Sequence, residues 1–390
     1  MAKAGTRITP DELDFEAVYG IEAPDPSDLW FDPGSDVGSA DVCAAEGREA
    51  ASLDADLRRL LDDLSRAQEM HVVALTEAAQ LIGRLDARLA YAPRGETQTL
   101  RWRRRLAAID LEALAWLIEP SIRREQIVLH TRFAKGGAKT EDLARAFETL
   151  RWAHGRLLGR GALPETPEDY LRFLGWSGKS GTPLGDDDGT FLREMEERLW
   201  KSFIIRPELL EQLDAFQRAT KDLPPLVAAC GVLVAWRALG FDDVSVAPTA
   251  YVLASRTAGR GCNGGLLSVP LLGPTRVDGF GSASPTRCLG PFLEAAQNAL
   301  YRALREIDRL QVWEEVALAR LRKGRGGATG RLIALLAEEP LVSTDMAVRA
   351  IAATPQGVLH AMRRLEEDGL VREVTGYKRF RFWTAVDGGR

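Results

Sequence analysis

The chain is poor in the residues that staple, ligate or catalyse. Four cysteines occur in 390 residues (Cys43, Cys230, Cys262 and Cys288), and no two form a CxxC pair. Thiols this sparse exclude a disulfide framework or a zinc ribbon, and are expected to be reduced. The four histidines, His71, His130, His154 and His360, make no metal-ligand pattern, and none lies between 154 and 360. No apolar run approaches the roughly 20 residues of a membrane span. The opening MAKAGTRITPDELDFEA holds no apolar signal core, and no internal repeat is evident. These absences lead to the expectation of a cytoplasmic protein with no membrane partner, no metal and no cofactor.

What is present is ordinary globular material with an uneven charge. Hydrophobic residues make up 45% and charged residues 27%, enough for a sizeable core and more than one domain. The net charge of −5 hides an acidic leader: residues 1–56 hold 14 acids and 3 bases, a local −11, so the remainder sums to +6. From residue 321 onward there are 12 bases and 8 acids, or +4. The acidic total is therefore no argument against a nucleic-acid partner, because the sign matters only where surfaces touch. Residues 1–50, rich in Asp, Pro, Gly and Ser, read as a mostly disordered arm.

The last sixty residues carry the clearest pattern. TGRLIALLAEEP from Thr329 is a short amphipathic helix stopped by Pro340. Ser343 and Thr344 then open a second helix through residue 352, with Asp345 in its first turn. Thr354-Pro355 restarts the chain as a cap followed by a proline that needs no N–H. The third helix ends at Gly369, a residue suited to a left-handed cap. LVREV and RFRFWTA follow as strands around Thr375-Gly376-Tyr377-Lys378, a basic hairpin. Within the third helix Val358, Ala361, Met362 and Leu365 make the inward face. Gln356, His360, Arg363, Arg364 and Glu367 make the other. A helix so presented suits the DNA major groove, where Arg and Gln read base edges. Lys378, Arg379 and Arg381 would add backbone contacts. Glu366, Glu367 and Asp368 run against that reading.

The body reads as helix after helix. Residues 52–89 form one long or two stacked helices, followed by helices from about 97, at 110–118, 121–130, 140–158, 167–174, 190–203, 207–219, 224–239 and 291–321. The stretch 224–239 is almost wholly apolar and should be the buried centre. Arg101-Trp102-Arg103-Arg104-Arg105 is a cationic run that we read as a solvated face. Residues 240–290 are rich in Gly, Ser, Pro and Thr, and read as a loop-rich insert with only brief strand or helix runs. Residues 323–328 read as a flexible basic linker.

Catalytic patterns fail on inspection. Gly178-Lys179-Ser180 lacks the earlier glycine of a phosphate loop, since that position is Phe173. Asp186-Asp187-Asp188 reads as a solvated turn rather than a cation site. The loop Gly259-Arg260-Gly261-Cys262-Asn263-Gly264-Gly265 offers glycines for close backbone approach, but no partnering acid, base or histidine nearby in sequence.

Two resemblances add to this. The helix–Thr354-Pro355–helix order, the spacing of Leu365, Gly369, Leu370, Arg372 and Glu373, and the run Val374-Thr375-Gly376-Tyr377-Lys378-Arg379-Phe380-Arg381 resemble the winged helix after the catalytic domain of Fic-family proteins. Glu112-Ala113-Leu114-Ala115 with Ile118-Glu119, and residues 291–313, are similar to fainter parts of that domain. The His–Pro–Phe segment and glycine-rich anion loop of the family are absent, so its nucleotidyl transfer is not implied. The order of parts, with Asp86-Ala87-Arg88-Leu89-Ala90-Tyr91-Ala92-Pro93, also resembles an alphaproteobacterial family that couples an uncharacterised helical domain to a C-terminal helix-turn-helix. That resemblance implies DNA binding.

The expectation is thus a mainly α protein: an acidic arm (1–50), a helical, degenerate Fic-like domain (51–322) with an insert at 240–290, a linker (323–328) and a winged helix-turn-helix (329–386). Its expected role is non-enzymatic, as a dimeric bacterial transcription regulator on double-stranded DNA, nucleoid-associated when bound. The contacting residues would be Thr354, Gln356, Gly357, His360, Arg363, Arg364, Tyr377, Lys378, Arg379 and Arg381. The competing readings are a Fic-like transferase with an altered site, and a replicon-maintenance or protein-interaction factor.

Overall fold

Apolar residues at three- and four-residue spacing set the architecture, and the computed structural model realises them as helices throughout. It describes residues 46–92, 96–119, 121–133, 140–174, 207–241, 247–272, 284–321, 327–375 and 381–386. The sequence expectations at 178–180, 186–188, 190–203 and 376–380, and most of the arm and the linker, lie outside them. Helix α1 (Glu46–Met70) begins within the stretch read as arm and gives way to α2 (Val72–Ala90) at His71, the one non-helical residue between them. α3 spans Glu96–Ile118 without a break, joining two helices that sequence reading separates, because nothing around Ala107-Ala108-Ile109 interrupts it.

α4 (Arg124–Phe133), α5 (Glu141–Leu157), α6 (Pro167–Leu174) and α7 (Pro207–Ala219) follow. Thr140 caps α5 by accepting the Leu143 N–H. α8 (Pro225–Ala238) is the centre, buried on almost every side. Its Gly231 is forced by packing: a Cβ there would stand 2.9 Å from Leu64 and 3.2 Å from Phe216.

The insert at 240–290 is not what its composition suggests. Ala247–Ala258 forms helix α9, with Tyr251, Val252, Leu253 and Ala254 fully buried against α8. Its period is invisible because it is buried on every side, polar Thr249, Ser255, Arg256 and Thr257 included, and Pro248 sits in the first turn, where a missing N–H is harmless. A short 3-10 turn (Gly259–Gly261) follows. The chain then runs back along α9, the Ser255 hydroxyl donating to the Val269 carbonyl at 2.8 Å and the Val269 N–H to the Ser255 carbonyl at 3.0 Å.

α10 (Pro285–Arg320) is the longest element and runs beside α2, α1 and α8. It starts before Pro291, where sequence reading placed its beginning, because Cys288, Leu289 and Phe292 are buried across that proline. The terminal module is α11 (Ala328–Glu338), β1 (Val342–Ser343), α12 (Thr344–Ile351), α13 (Pro355–Glu367), β2 (Val371–Glu373) and β3 (Phe382–Ala385). Its sheet is antiparallel in the order β1-β3-β2, with Val342 opposite Trp383 and Arg372 opposite Thr384. Among the described residues, no helix is long and apolar enough to cross a membrane.

Candidate nucleic-acid interface

Local chemistry fixes the terminal helices one at a time. Ser343 opens α12 by accepting the Met346 N–H at 3.2 Å, and Ala352 ends it in the left-handed region (φ 49°). Thr354 opens α13 by accepting the Gly357 N–H at 3.1 Å, with Pro355 in the first turn. Gly369 (φ 67°) reverses the chain after Asp368. A side-chain cap of this kind is worth about 1 kcal/mol.

α13 is buried along Val358, Ala361, Met362 and Leu365 and exposed at Gln356, Gly357, His360, Arg363 and Arg364. Thr354, at its start, is exposed as well. From Gln356 to Arg364 the exposed stripe extends roughly 12 Å along the axis at helical rise, comparable with the major-groove width. Glu366, Glu367 and Asp368 are exposed too, but crowd the far end, a turn beyond the arginines.

The hairpin stem forms at its root: the Val374 N–H donates to the Phe382 carbonyl, and the Phe382 N–H to the Thr375 hydroxyl. Arg381 is half-exposed and pairs with Glu373 at 3.4 Å. Burial pushes the Glu373 carboxyl up, against the charge of Arg381, so this guanidinium has a protein partner already. Tyr377, Lys378 and Arg379 lie outside the described residues. Arg331, Arg349 and Arg372 are also exposed on this module. Sequence reading passed over them as contacts because each stands apart from other cations.

The second cationic run has the opposite fate. Arg101 is buried, bonding Glu314 of α10 at 3.3 Å and the Ala334 carbonyl of α11 at 3.0 Å. Trp102 is fully buried. Arg103 donates to the carbonyls of Gly264 and Gly265, Arg104 pairs with Glu338, and Arg105 pairs with Glu306. Burial opposes the Glu306 charge, but hydrogen bonding from Arg309 and the charge of Arg105 hold its carboxyl down at about 2. The run is neither a nucleic-acid surface nor a solvated face: it rivets α3 to α10, to the glycine loop and to the terminal module.

The glycine loop is consumed in the same way. The Asp86 carboxylate accepts the N–H groups of Asn263 at 2.6 Å and Leu266 at 2.7 Å. A Cβ on Gly265 would lie 2.1 Å from the Asp86 carbonyl oxygen, so this glycine serves packing against α2. Burial pushes the Cys262 thiol up to about 12, well away from a reactive thiolate.

The terminal module is also held from the body. Trp313 of α10 donates its indole N–H to the Leu370 carbonyl at 2.7 Å, and Arg320 donates to the Asp368 carbonyl. These bonds engage one carbonyl at the cap of α13 and one just past the Gly369 reversal. A helix presented by two others, capped at its start and anchored at its end, with a polar cationic face outward, is a helix-turn-helix. Agreeing with this, the family model for an HTH DNA binding domain matches residues 329–386. No curated protein matches the chain.

Proposed function

We propose that the protein is a sequence-specific binder of double-stranded DNA and a regulator of transcription, acting as a homodimer in the bacterial cytoplasm and on the nucleoid. The observation that carries this reading is the outward stripe of α13: Gln356, His360, Arg363 and Arg364 share one exposed face while every apolar residue of the opposite face is buried. Arg363 and Arg364 would address guanine edges and Gln356 adenine, the side-chain types whose donor geometry matches those bases. Tyr377, Lys378, Arg379 and Arg381 would grip backbone from a wing. In this reading the chain divides into arm, helical domain and DNA-binding module, and no catalytic role is assigned.

Selection from a random duplex pool tests the proposal. A recurring motif with two related halves is expected, and recovery of unrelated sequences at equal affinity would refute it. Affinity should fall steeply with salt, since each phosphate contact releases counterions.

A protein-docking role for the same module is favoured by the exposed acids Glu366, Glu367 and Asp368. DNA affinity that is weak and indifferent to salt would select that reading. The transferase reading has no such support: in its candidate loop the Asn263 amide already bonds to Asp86, and the Gly264 and Gly265 carbonyls to Arg103.

A further inference from the structure

The outer face of α10 carries a pattern that matches itself when reversed. Tyr301 and Val312 are 52% and 60% exposed, unusual for large apolar side chains on a long helix packed along its other side. Between them stand Arg305 and Asp308, both exposed. The spacing is four, three, four, so the order apolar–cation–anion–apolar is symmetric about the point midway between residues 306 and 307. Laid antiparallel on a second copy about that point, Tyr301 meets Val312 and Arg305 meets Asp308, each contact occurring twice. The same register sets Asn298 against Glu315 and Glu294 against Ala319. All eight positions fall on one heptad seam, the spacing that keeps two helices in continuous contact.

We infer that α10 pairs antiparallel with α10 of a second copy of this chain, and that this seam is the dimer interface. The inference rests on the dimeric reading above and names its surface. Beside the seam an open groove of about 800 Å³ runs between α10 and the exposed edge of α2, with Tyr91 on its bank. It gives the partner helix's flanking side chains somewhere to go. Arg88 already engages Oδ1 of Asp308, and a carboxylate accepts from more than one donor, so a second guanidinium can join it.

The placement also suits DNA. Trp313 and Arg320 hold the end of α13. About this two-fold, each stands from its counterpart by roughly 20 Å and roughly 40 Å along the axis, at helical rise. Those separations bracket the ~34 Å between half-sites one helical turn apart. The seam is about 37 Å long at helical rise. A single helix-on-helix seam is a limited contact, and we expect a reversible dimer that dissociates in roughly the micromolar range.

Sedimentation velocity of the full chain tests this. Arg305→Asp alone sets acid against acid twice, and Asp308→Arg alone sets cation against cation twice. Each should weaken the dimer by more than about tenfold, as like charges placed opposite one another do. Mixing the two variants restores both attractive contacts, so a mixed dimer should form where neither variant self-associates. Val312→Asn offers a break that leaves the charge unchanged. Single variants that dimerise like the parent, a mixture that stays monomeric, or a parent that is monomeric through the micromolar range would each overturn the seam. Anisotropy on a duplex carrying one half-site separates this from the functional reading: a seam variant that binds it normally leaves DNA recognition intact. A dimer with the expected charge behaviour that binds no DNA sinks the functional reading alone.

Discussion

Two arginine clusters in this chain look alike in sequence and do opposite things. Arg101, Arg103, Arg104 and Arg105 turn inward and spend their donors on Glu314, Glu338, Glu306 and backbone carbonyls far along the chain. Arg363 and Arg364 face outward on a helix whose other side is sealed. The difference lies in the partners: acids from α10 and α11 stand opposite the first cluster, and the acids nearest the second are a turn away on its own helix. A cationic run is thus a buried structural element or an exposed face according to what folds against it, and local sequence does not contain that information.

The sharpest way to break the comparison is Arg105→Ala. It would leave Glu306 as a partly buried carboxylate with one partner fewer, and removing one member of a buried pair costs about 3–5 kcal/mol. Urea unfolding should show that loss, while the selected DNA motif stays the same for the folded fraction. The pair also has an acid signature. Because Glu306 is depressed to about 2 from an ordinary 4.5, its contribution is present above the ordinary value and is lost as pH falls toward 2. The variant should lose less stability than the parent across that window.

Asp110 provides the reverse case, a buried acid that lacks a close cation. It is 1% exposed, its Oδ1 has no hydrogen-bond partner, and burial raises its carboxyl to about 7, against the Tyr251 hydroxyl and the charge of Arg302. A raised carboxyl holds its proton in the folded state after the unfolded chain has released it. Stability is therefore complete below the ordinary 3.8 and declines as pH rises through about 7. Asp110→Asn should remove that decline. Its advantage over the parent should be near zero in acid and reach on the order of a few kcal/mol above neutrality. Equal stability of the two proteins at all pH values would show the carboxyl to be ionised and solvated.

Arg363→Ala probes the outward cluster. Stability should change by less than about 0.5 kcal/mol, the usual range for an exposed position. Discrimination at one base pair should fall by about 1–3 kcal/mol if the guanidinium grips a guanine. Uniform weakening across all sequences would instead make it a phosphate contact, with a salt slope smaller by about one.

The terminal module was the most legible part of the sequence, since its signals are local. Caps at Ser343 and Thr354, the left-handed Gly369 and the buried stripe of α13 each depend on residues a few positions apart. The two-residue β1 was missed, because its pairing with β3 reaches some forty residues along the chain. α9 hid in a stretch whose glycines and prolines suggested loop. The inward turn of the first arginine run and the closed glycine loop were equally illegible, as both depend on partners brought in from α10, α11 and α2. Within the candidate interface, sequence reading separated exposed from buried residues of α13. It could not show that Glu373 claims Arg381.

Thr354→Ala has the smallest expected effect and sharpens the comparison at its edge, because Thr354 stands between structure and contact. Its oxygen accepts the Gly357 N–H, so its removal leaves that donor to water and should lower stability by about 1 kcal/mol. Thr354→Ser keeps the oxygen and should stay close to the parent. If the hydroxyl acts only as a cap, both variants select the parent motif, and the alanine protein binds slightly more weakly at every sequence because the start of α13 frays. If the motif itself changes with alanine and returns with serine, the hydroxyl proton reaches a base, and Thr354 belongs with Arg363 and Arg364 as a reader.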